Sequence, residues 1–437
     1  MYSIAFFFLH VIIREIYPGR CDLESIVDKP EEKQAKKGAI LTLIFLSHAM
    51  NHLQSIVLNV FYPLIREEFG IGYFELGFLT TANQLVASVL QVIYGFLARF
   101  MGRGVLLGVG NIIVGLGGIG IGLSRGFNGL LGWVGIRSVG ISAQHPIGAA
   151  ILASHFPQQR ARVLGLHQSA GNVGGWVAPV LASSLLLMGI AWRQIVWVIS
   201  IASILMGLGY FAFRDLIVPV GAGESSGGGK RSRAKAGLAD YWSAMKNRNI
   251  LFLTLAMMAG AAGRGTNVLS TYLTTYLVDT YNMDASRAGF FFSAMMIGGI
   301  VGPVAVGWLA DKISHKFICQ LTLLAAAVFN FTVIFYPSAN WFLVTHLILS
   351  GVFIWARGPL VETLFIEATD KASLDTLLSI HYAVAFVSGP AWTLVTGVVI
   401  DKFGVIPAFA IMAASYLLGM FFLAFVKFGP QKKIAGV

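Results

Sequence analysis

Twelve apolar stretches of membrane-spanning length, about 20 residues each, run along the chain. They fall near 40–64, 74–98, 105–124, 129–153, 163–188, 194–213, 250–278, 287–310, 317–336, 342–366, 376–400 and 405–426. Six lie on each side of a polar break at 216–248, and the two sets are related. Residues 52–104 align with 264–316 at a constant offset of 212, so Gly77-Phe78-Leu79 meets Gly289-Phe290-Phe291 and His52 meets Arg264. At offsets of 213 and 214 the register continues, pairing Pro146 with Pro359 and His167 with His381. The pattern predicts an all-α membrane protein of twelve transmembrane helices in two pseudo-symmetric six-helix bundles, with a binding site between them. The expected parts are an N-terminal cytoplasmic or interfacial segment (1–38), a first bundle (39–215), a cytoplasmic linker (216–248), a second bundle (249–427) and a cytoplasmic tail (428–437).

Polar positions inside the spans sharpen this picture. His48, Asn51, His52, Ser55 and Asn59 follow i, i+3, i+4, i+7, i+11, one stripe on one helical face. The fourth span offers Arg137, Gln144, His145 and Gly148; the seventh offers Arg264, Asn267, Thr271 and Thr275; the tenth offers His346 and Arg357, with Glu362 and Glu367 beyond. Ionisable groups at membrane depth are expensive and almost always face a cavity or a partner. The richest stripes therefore mark spans one, four, seven and ten as the lining of a central site.

Composition agrees: the chain is 56% hydrophobic and 12% charged, against about 25% charged for soluble domains. Its net charge of +11 reflects topology rather than nucleic-acid binding. With both termini cytoplasmic, Arg66, Arg125, Arg193, Arg287 and Lys402 fall outside and Arg137, Arg264 and Arg357 within the membrane. The other 23 of 31 basic residues are then cytoplasmic, as the positive-inside rule requires. A multi-pass protein of the plasma (cell inner) membrane, working as a monomer in contact with lipid, is expected. The Gly-rich run 221–229 and basic run 230–235 read as a flexible linker over anionic lipid. Met1–Ile13 is apolar but too short to span. The two cysteines, Cys21 and Cys319, imply no disulfide framework.

Gly115-Leu116-Gly117-Gly118-Ile119-Gly120 matches a dinucleotide fingerprint in form, but it sits inside a span with no strand before it, so helix packing explains it. His48 and His52 have the spacing of two metal ligands. Ala49 stands where a metalloprotease has Glu, and a transition-metal site with His145 or His167 is the lesser alternative, so no metal is assigned. Nothing resembles a nucleophilic triad, so neither an enzyme nor a cofactor is expected.

Gly307-x-Leu309-Ala310-Asp311-Lys312 with Lys316 resembles the cytoplasmic loop motif of the major facilitator superfamily, and Arg137 its fourth-span arginine. Gly171, Gly174, Gly175 and Pro179 resemble the fifth span of its antiporters. More narrowly, Ser47-His48 with Asn51, Tyr62-Pro63-Leu64, Gln84-Leu85, Ser88-x-Leu90-Gln91, His145-Pro146 and Gly171-Asn172 resemble the fosmidomycin resistance group of bacterial efflux transporters. This chain has His52 where that group carries an acidic residue, and Ile147 where it carries Glu.

The resemblance implies alternating access with proton-coupled antiport. The expected substrate-binding residues are His48, Asn51, His52, Asn59, Arg137, His145, His167, Arg264, Asn267 and Arg357. His48, His52, His167, Glu362 and His381 are the proton-coupling candidates, since histidine titrates near neutrality. Three buried arginines favour an anionic or amphipathic drug-like solute for export. Uptake of a small carboxylate is the rival reading, followed by a transporter-fold sensor and a metal carrier. The gate is expected at Gly95, Arg99, Arg103, Gly307, Asp311 and Lys312. There Asp311 would meet the start of span five near Arg160 and Arg162, and Arg99 would pair with Asp370 or Asp375 at span eleven.

Overall fold

A computed structural model describes residues 30–98, 100–213, 217, 246–263, 268–368 and 374–427, with the side chains of 30–35, 92, 160–161 and 374–386 outside the description. The chain divides into two compact units, Met1–Ala39 and Ile40–Val437; the architecture below is that of the second. Its helices are α1 (Pro30–Phe69), α2 (Tyr73–Leu97), α3 (Arg103–Leu123), α4 (Phe127–Ile141), α5 (Gln144–His155), α6 (Arg160–Leu187) and α7 (Trp192–Ala212). The second set is α8 (Arg248–Ala259), α9 (Ser270–Tyr281), α10 (Ala285–Lys312), α11 (His315–Thr332), α12 (Trp341–Glu367), α13 (Leu374–Phe403) and α14 (Val405–Ala424). Among the described residues, nine helices are long and apolar enough to cross a membrane. The pairs α4–α5 and α8–α9, each a span broken in its middle, and α13 supply the other three crossings.

The breaks correct the continuous fourth and seventh spans expected from hydropathy. Pro146 has no N–H to give the Ser142 carbonyl four residues back, and Ser142–Ala143 form a turn between α4 and α5. At the other break α8 stops at Gly260, followed by a turn through Gly263. At the starts of α8, α10 and α12, Asn247, Asp284 and Asn340 each accept a backbone N–H of the first turn, the usual way to satisfy a helix's orphan donors.

The repeat is visible in packing and in backbone conformation. Span two packs on span eleven (α2 on α13), as span five packs on span eight (α6 on α10), the exchange a pseudo-twofold axis demands. Four described residues have φ in the left-handed region, and they form two repeat-related pairs. Gly70 (φ 61°) corresponds to Asn282 (φ 50°), and Gly189 (φ 79°) to Gly404 (φ 82°). Glycine and asparagine are the residues that enter this region at least cost, so the turns after spans one, five, seven and eleven were written into both halves.

Glycine also sets how closely helices approach. A Cβ at Gly115 would lie 2.6 Å from the Ser200 carbonyl oxygen, one at Gly117 2.6 Å from the Arg137 amide nitrogen, and one at Gly120 inside the Trp133 indole. The fingerprint-like run is thus a helix-packing surface. In the second half, Cβ atoms at Gly298 and Gly302 would overlap the carbonyl oxygens of Ile348 and Val352, fixing α10 against α12. Since backbone cannot yield as a side chain can, Gly302→Ala should destabilise by about 1–3 kcal/mol. A lowered thermal midpoint of the purified protein in detergent checks this.

Candidate functional site

Side chains from α1 organise the first bundle. Ser47 Oγ donates to Gln144 Oε1 (2.8 Å), Gln54 Nε2 to Ser203 Oγ (2.9 Å) and Asn51 Nδ2 to the Ile141 carbonyl (3.1 Å). Ile141 ends α4, so Asn51 supplies a donor where the break has left a carbonyl without its helical partner. Arg137, 2% exposed, sends Nη1 to the Gln54 carbonyl at 2.9 Å. It braces α4 against α1 and does not line the cavity described next.

Between the bundles lies a cavity of about 450 Å³. The first half contributes His52, Ile56, Gln168, Gly171, Asn172 and Gly175; the second contributes Met257, Met296, Trp355, Arg357, Glu362 and Ser388, among others. Arg357 is 5% exposed and gives Nη2 to the Met257 carbonyl at 2.7 Å. Met257 lies in the last turn of α8, so this bond caps the second broken span as Asn51 caps the first. The Arg357 Nε–H is buried with no partner among the described residues.

Four imidazoles gather beside the cavity. The His48 ring stacks on His167 with centroids 3.8 Å apart, and stands edge-on to His52 and His145 at 4.8 and 4.7 Å. Gly171 makes room for them: a Cβ there would lie 2.8 Å from His52 Nε2 and 3.1 Å from His48 Cε1.

Hydrogen bonds between the halves gather at the end where α1 stops and α2 begins. Arg66 pairs with Asp279 at 2.5 Å, and Tyr73 Oη donates to the same carboxylate at 2.8 Å. Asp401 accepts the Tyr73 and Phe74 amides, 2.9 and 2.7 Å, at the start of α2. Thr274 donates to the Asn59 carbonyl, and Thr81 to that of Pro390 at 3.1 Å. At the other end His315 Nδ1 meets Glu367 at 2.6 Å and Nε2 meets Asp311 at 2.9 Å. Ionised carboxylates only accept, so an imidazole serving both donates from both nitrogens and is an imidazolium.

Of the residues singled out in the sequence, His52, Arg357 and Glu362 line the cavity. His48, His145 and His167 lie in the imidazole cluster that His52 joins to it. Asn51 and Arg137 brace helices, and Asn59 serves the closed end through its backbone carbonyl. Among the gating residues, Asp311 engages His315, Lys312 Nζ sits 3.6 Å above the Trp308 ring, and Arg103 donates to the Ala150 carbonyl at 3.2 Å. Open space surrounds the Cα hydrogens of Gly95 and Gly307. Arg99, Arg264, Asn267 and Asp370 lie outside the described residues, as do the side chains of Arg160, Asp375 and His381; the Arg99 pairing and the Asp311–Arg160 contact fall there. Sequence reasoning missed Asp401, Asp279 and Tyr73. The register that pairs Gly189 with Gly404 places Leu186 opposite Asp401, so no internal symmetry pointed to it.

The model of the Major Facilitator Superfamily matches residues 44–391. The Fosmidomycin resistance protein of Escherichia coli (strain K12) is 22% identical over 387 residues, covering 87% of this chain and 91% of that protein. The cis,cis-muconate transport protein of Acinetobacter baylyi is 22% identical over 402 residues, covering 89% and 94%. A bacterial homologue of the human lysosomal transporter Spinster, solved inward-facing and unoccupied, superposes with a TM-score of 0.74 at 18% identity, covering 92% of this chain and 97% of that one.

Proposed function

From the premise that the chain belongs to the Major Facilitator Superfamily, we propose that it moves a small organic anion, or an amphipathic acid of drug-like size, across the membrane by alternating access, in exchange for protons. Membership makes it a multi-pass membrane transporter rather than an enzyme; the cargo and the coupling are the proposal. The observation that carries it is Arg357: a buried guanidinium on the wall of the inter-half cavity, with one N–H lacking a partner among the described residues. A fixed cation in a medium of low dielectric attracts an anion strongly. An unpartnered buried donor is costly until a ligand accepts from it.

Glu362 lines the same cavity and is the group assigned to the proton, where protonation on one side and release on the other would alternate the charge seen by the cargo. The positive-inside count puts both termini in the cytoplasm. The latched end at Arg66, Asp279 and Asp401 then faces outward, and the cavity serves the cytoplasmic side. The resistance protein among the relatives favours export. The muconate transport protein favours the second reading, uptake of a small carboxylate.

Counterflow in proteoliposomes with a panel of organic anions, at two imposed pH gradients, tests the reading. Saturable anion counterflow is expected, and the gradient orientation that drives accumulation separates export from uptake. Absence of counterflow across the panel would sink it. Glu362→Gln should keep counterflow, which needs no net proton movement, while losing its response to the imposed gradient.

A further inference from the structure

The imidazole cluster beside the cavity contains more unpaired donors and acceptors than a packed interior tolerates. His48 is fully buried, and its Nδ1 lies 2.6 Å from the His167 carbonyl oxygen. A carbonyl can only accept, so Nδ1 carries the hydrogen and Nε2 of the neutral ring presents a lone pair. That Nε2 is buried with no partner among the described residues, as are Nε2 of His52 and both ring nitrogens of His167. Each orphaned group of this kind costs about 1–3 kcal/mol.

We propose that His48, His52 and His145 form a binding site for a divalent transition-metal ion of the zinc class. Their donor nitrogens lie within 4.8 Å of one another. An ion about 2.0–2.1 Å from three imidazole nitrogens at tetrahedral angles sets the ring centroids about 5 Å apart. The observed separations are 4.8, 4.7 and 5.4 Å, with rings inclined by 80–86° to one another as convergent ligands are. Small ring rotations would draw the donors together. The bond from His48 Nδ1 to a backbone carbonyl is the outer-shell contact that fixes the tautomer of a metal-binding histidine, and His167, stacked on His48, holds that carbonyl in place.

Imidazole nitrogen suits zinc, copper, nickel and cobalt better than calcium or magnesium. Three neutral ligands leave the ion's double charge uncompensated. The fourth position therefore favours an anionic ligand, which can approach from the cavity because His52 lines it. The site is independent of the cargo reading: failure of anion counterflow leaves it standing, and failure of metal binding leaves counterflow untouched.

The test uses the full chain purified in detergent without a polyhistidine tag, stripped with chelator and titrated with Zn²⁺ by calorimetry and with Co²⁺ by visible absorption. Expected are one equivalent of Zn²⁺ per chain and the intense visible bands of tetrahedral Co²⁺. Both should disappear in H48Q/H52Q/H145Q and persist in His155→Gln, a histidine outside the cluster. Gly171→Ala leaves every ligand in place but pushes a methyl against His52, and should weaken Zn²⁺ by about 10–100-fold, the scale of an outer-shell defect. It also keeps the proposal testable if the triple variant does not fold. No Zn²⁺ heat with no tetrahedral Co²⁺ spectrum in the parent would overturn the site. So would undiminished binding in a folded triple variant, or in Gly171→Ala.

Discussion

Arg357→Ala is expected to abolish transport while the protein still reaches the membrane. Arg357 has two tasks that the substitution removes together. Its Nη2 caps the Met257 carbonyl at the end of α8, and its guanidinium places a positive charge on the wall of the cavity. A hydrogen bond from a charged donor contributes about 1.5–3 kcal/mol, which is about 10–150-fold in anion affinity. Exposing the Met257 carbonyl to an unpartnered state adds about 1–3 kcal/mol of destabilisation, concentrated where the seventh span is already broken.

Two further variants separate these effects. Arg357→Gln can still offer an amide N–H to the carbonyl, so thermal stability should largely survive while anion binding is lost. Arg357→Lys keeps the charge but replaces a planar fork with a point donor; it should bind anion weakly without capping Met257. Anion binding by calorimetry and thermal midpoints, measured on all three, decide the matter. Undiminished anion counterflow in Arg357→Gln would refute the anion reading.

The parts legible in the sequence were those governed by a period. The repeat of 212–214 residues predicted two bundles, and the same spacing relates the left-handed turns at Gly70 and Asn282, and nearly so those at Gly189 and Gly404. The stripes on spans one and ten led to His52, Arg357 and Glu362 on the cavity wall. A period names a face and not the neighbour that covers it, so Arg137 and Asn51 read as cavity residues although each is spent on a backbone carbonyl of an adjacent helix. Pro146 held the signal for the fourth-span break, yet hydropathy averaged over a window conceals a missing hydrogen bond. The closed end was illegible for another reason. Asp401 recognises backbone N–H groups at the start of α2, and backbone donors leave no trace in side-chain patterns.

That latch yields the other large expected effect: Asp401→Ala should shift the population toward the state open at the Arg66 end. The carboxylate receives two amide hydrogens from the first turn of a helix in the opposite half, at 2.9 and 2.7 Å, where the macrodipole favours a negative charge. Asp401 is exposed, so its contribution is that of a helix-capping acceptor, about 0.5–2 kcal/mol, a change of about 2–30-fold in the ratio of the two states. Asp401→Asn retains an acceptor but not the charge and should fall between parent and alanine. Spin labels on the turns after Phe69 and Tyr281 report the separation of the halves at this end, and a longer-distance population should grow in the order parent, Asn, Ala. Asp279→Asn removes the charge that pairs with Arg66 and leaves Tyr73 only a neutral amide oxygen to donate to. Tyr73 belongs to both clusters, so the two substitutions should combine less than additively. Distances unchanged in Asp401→Ala would show that the apolar packing of α2 on α13, and not this carboxylate, holds the end shut.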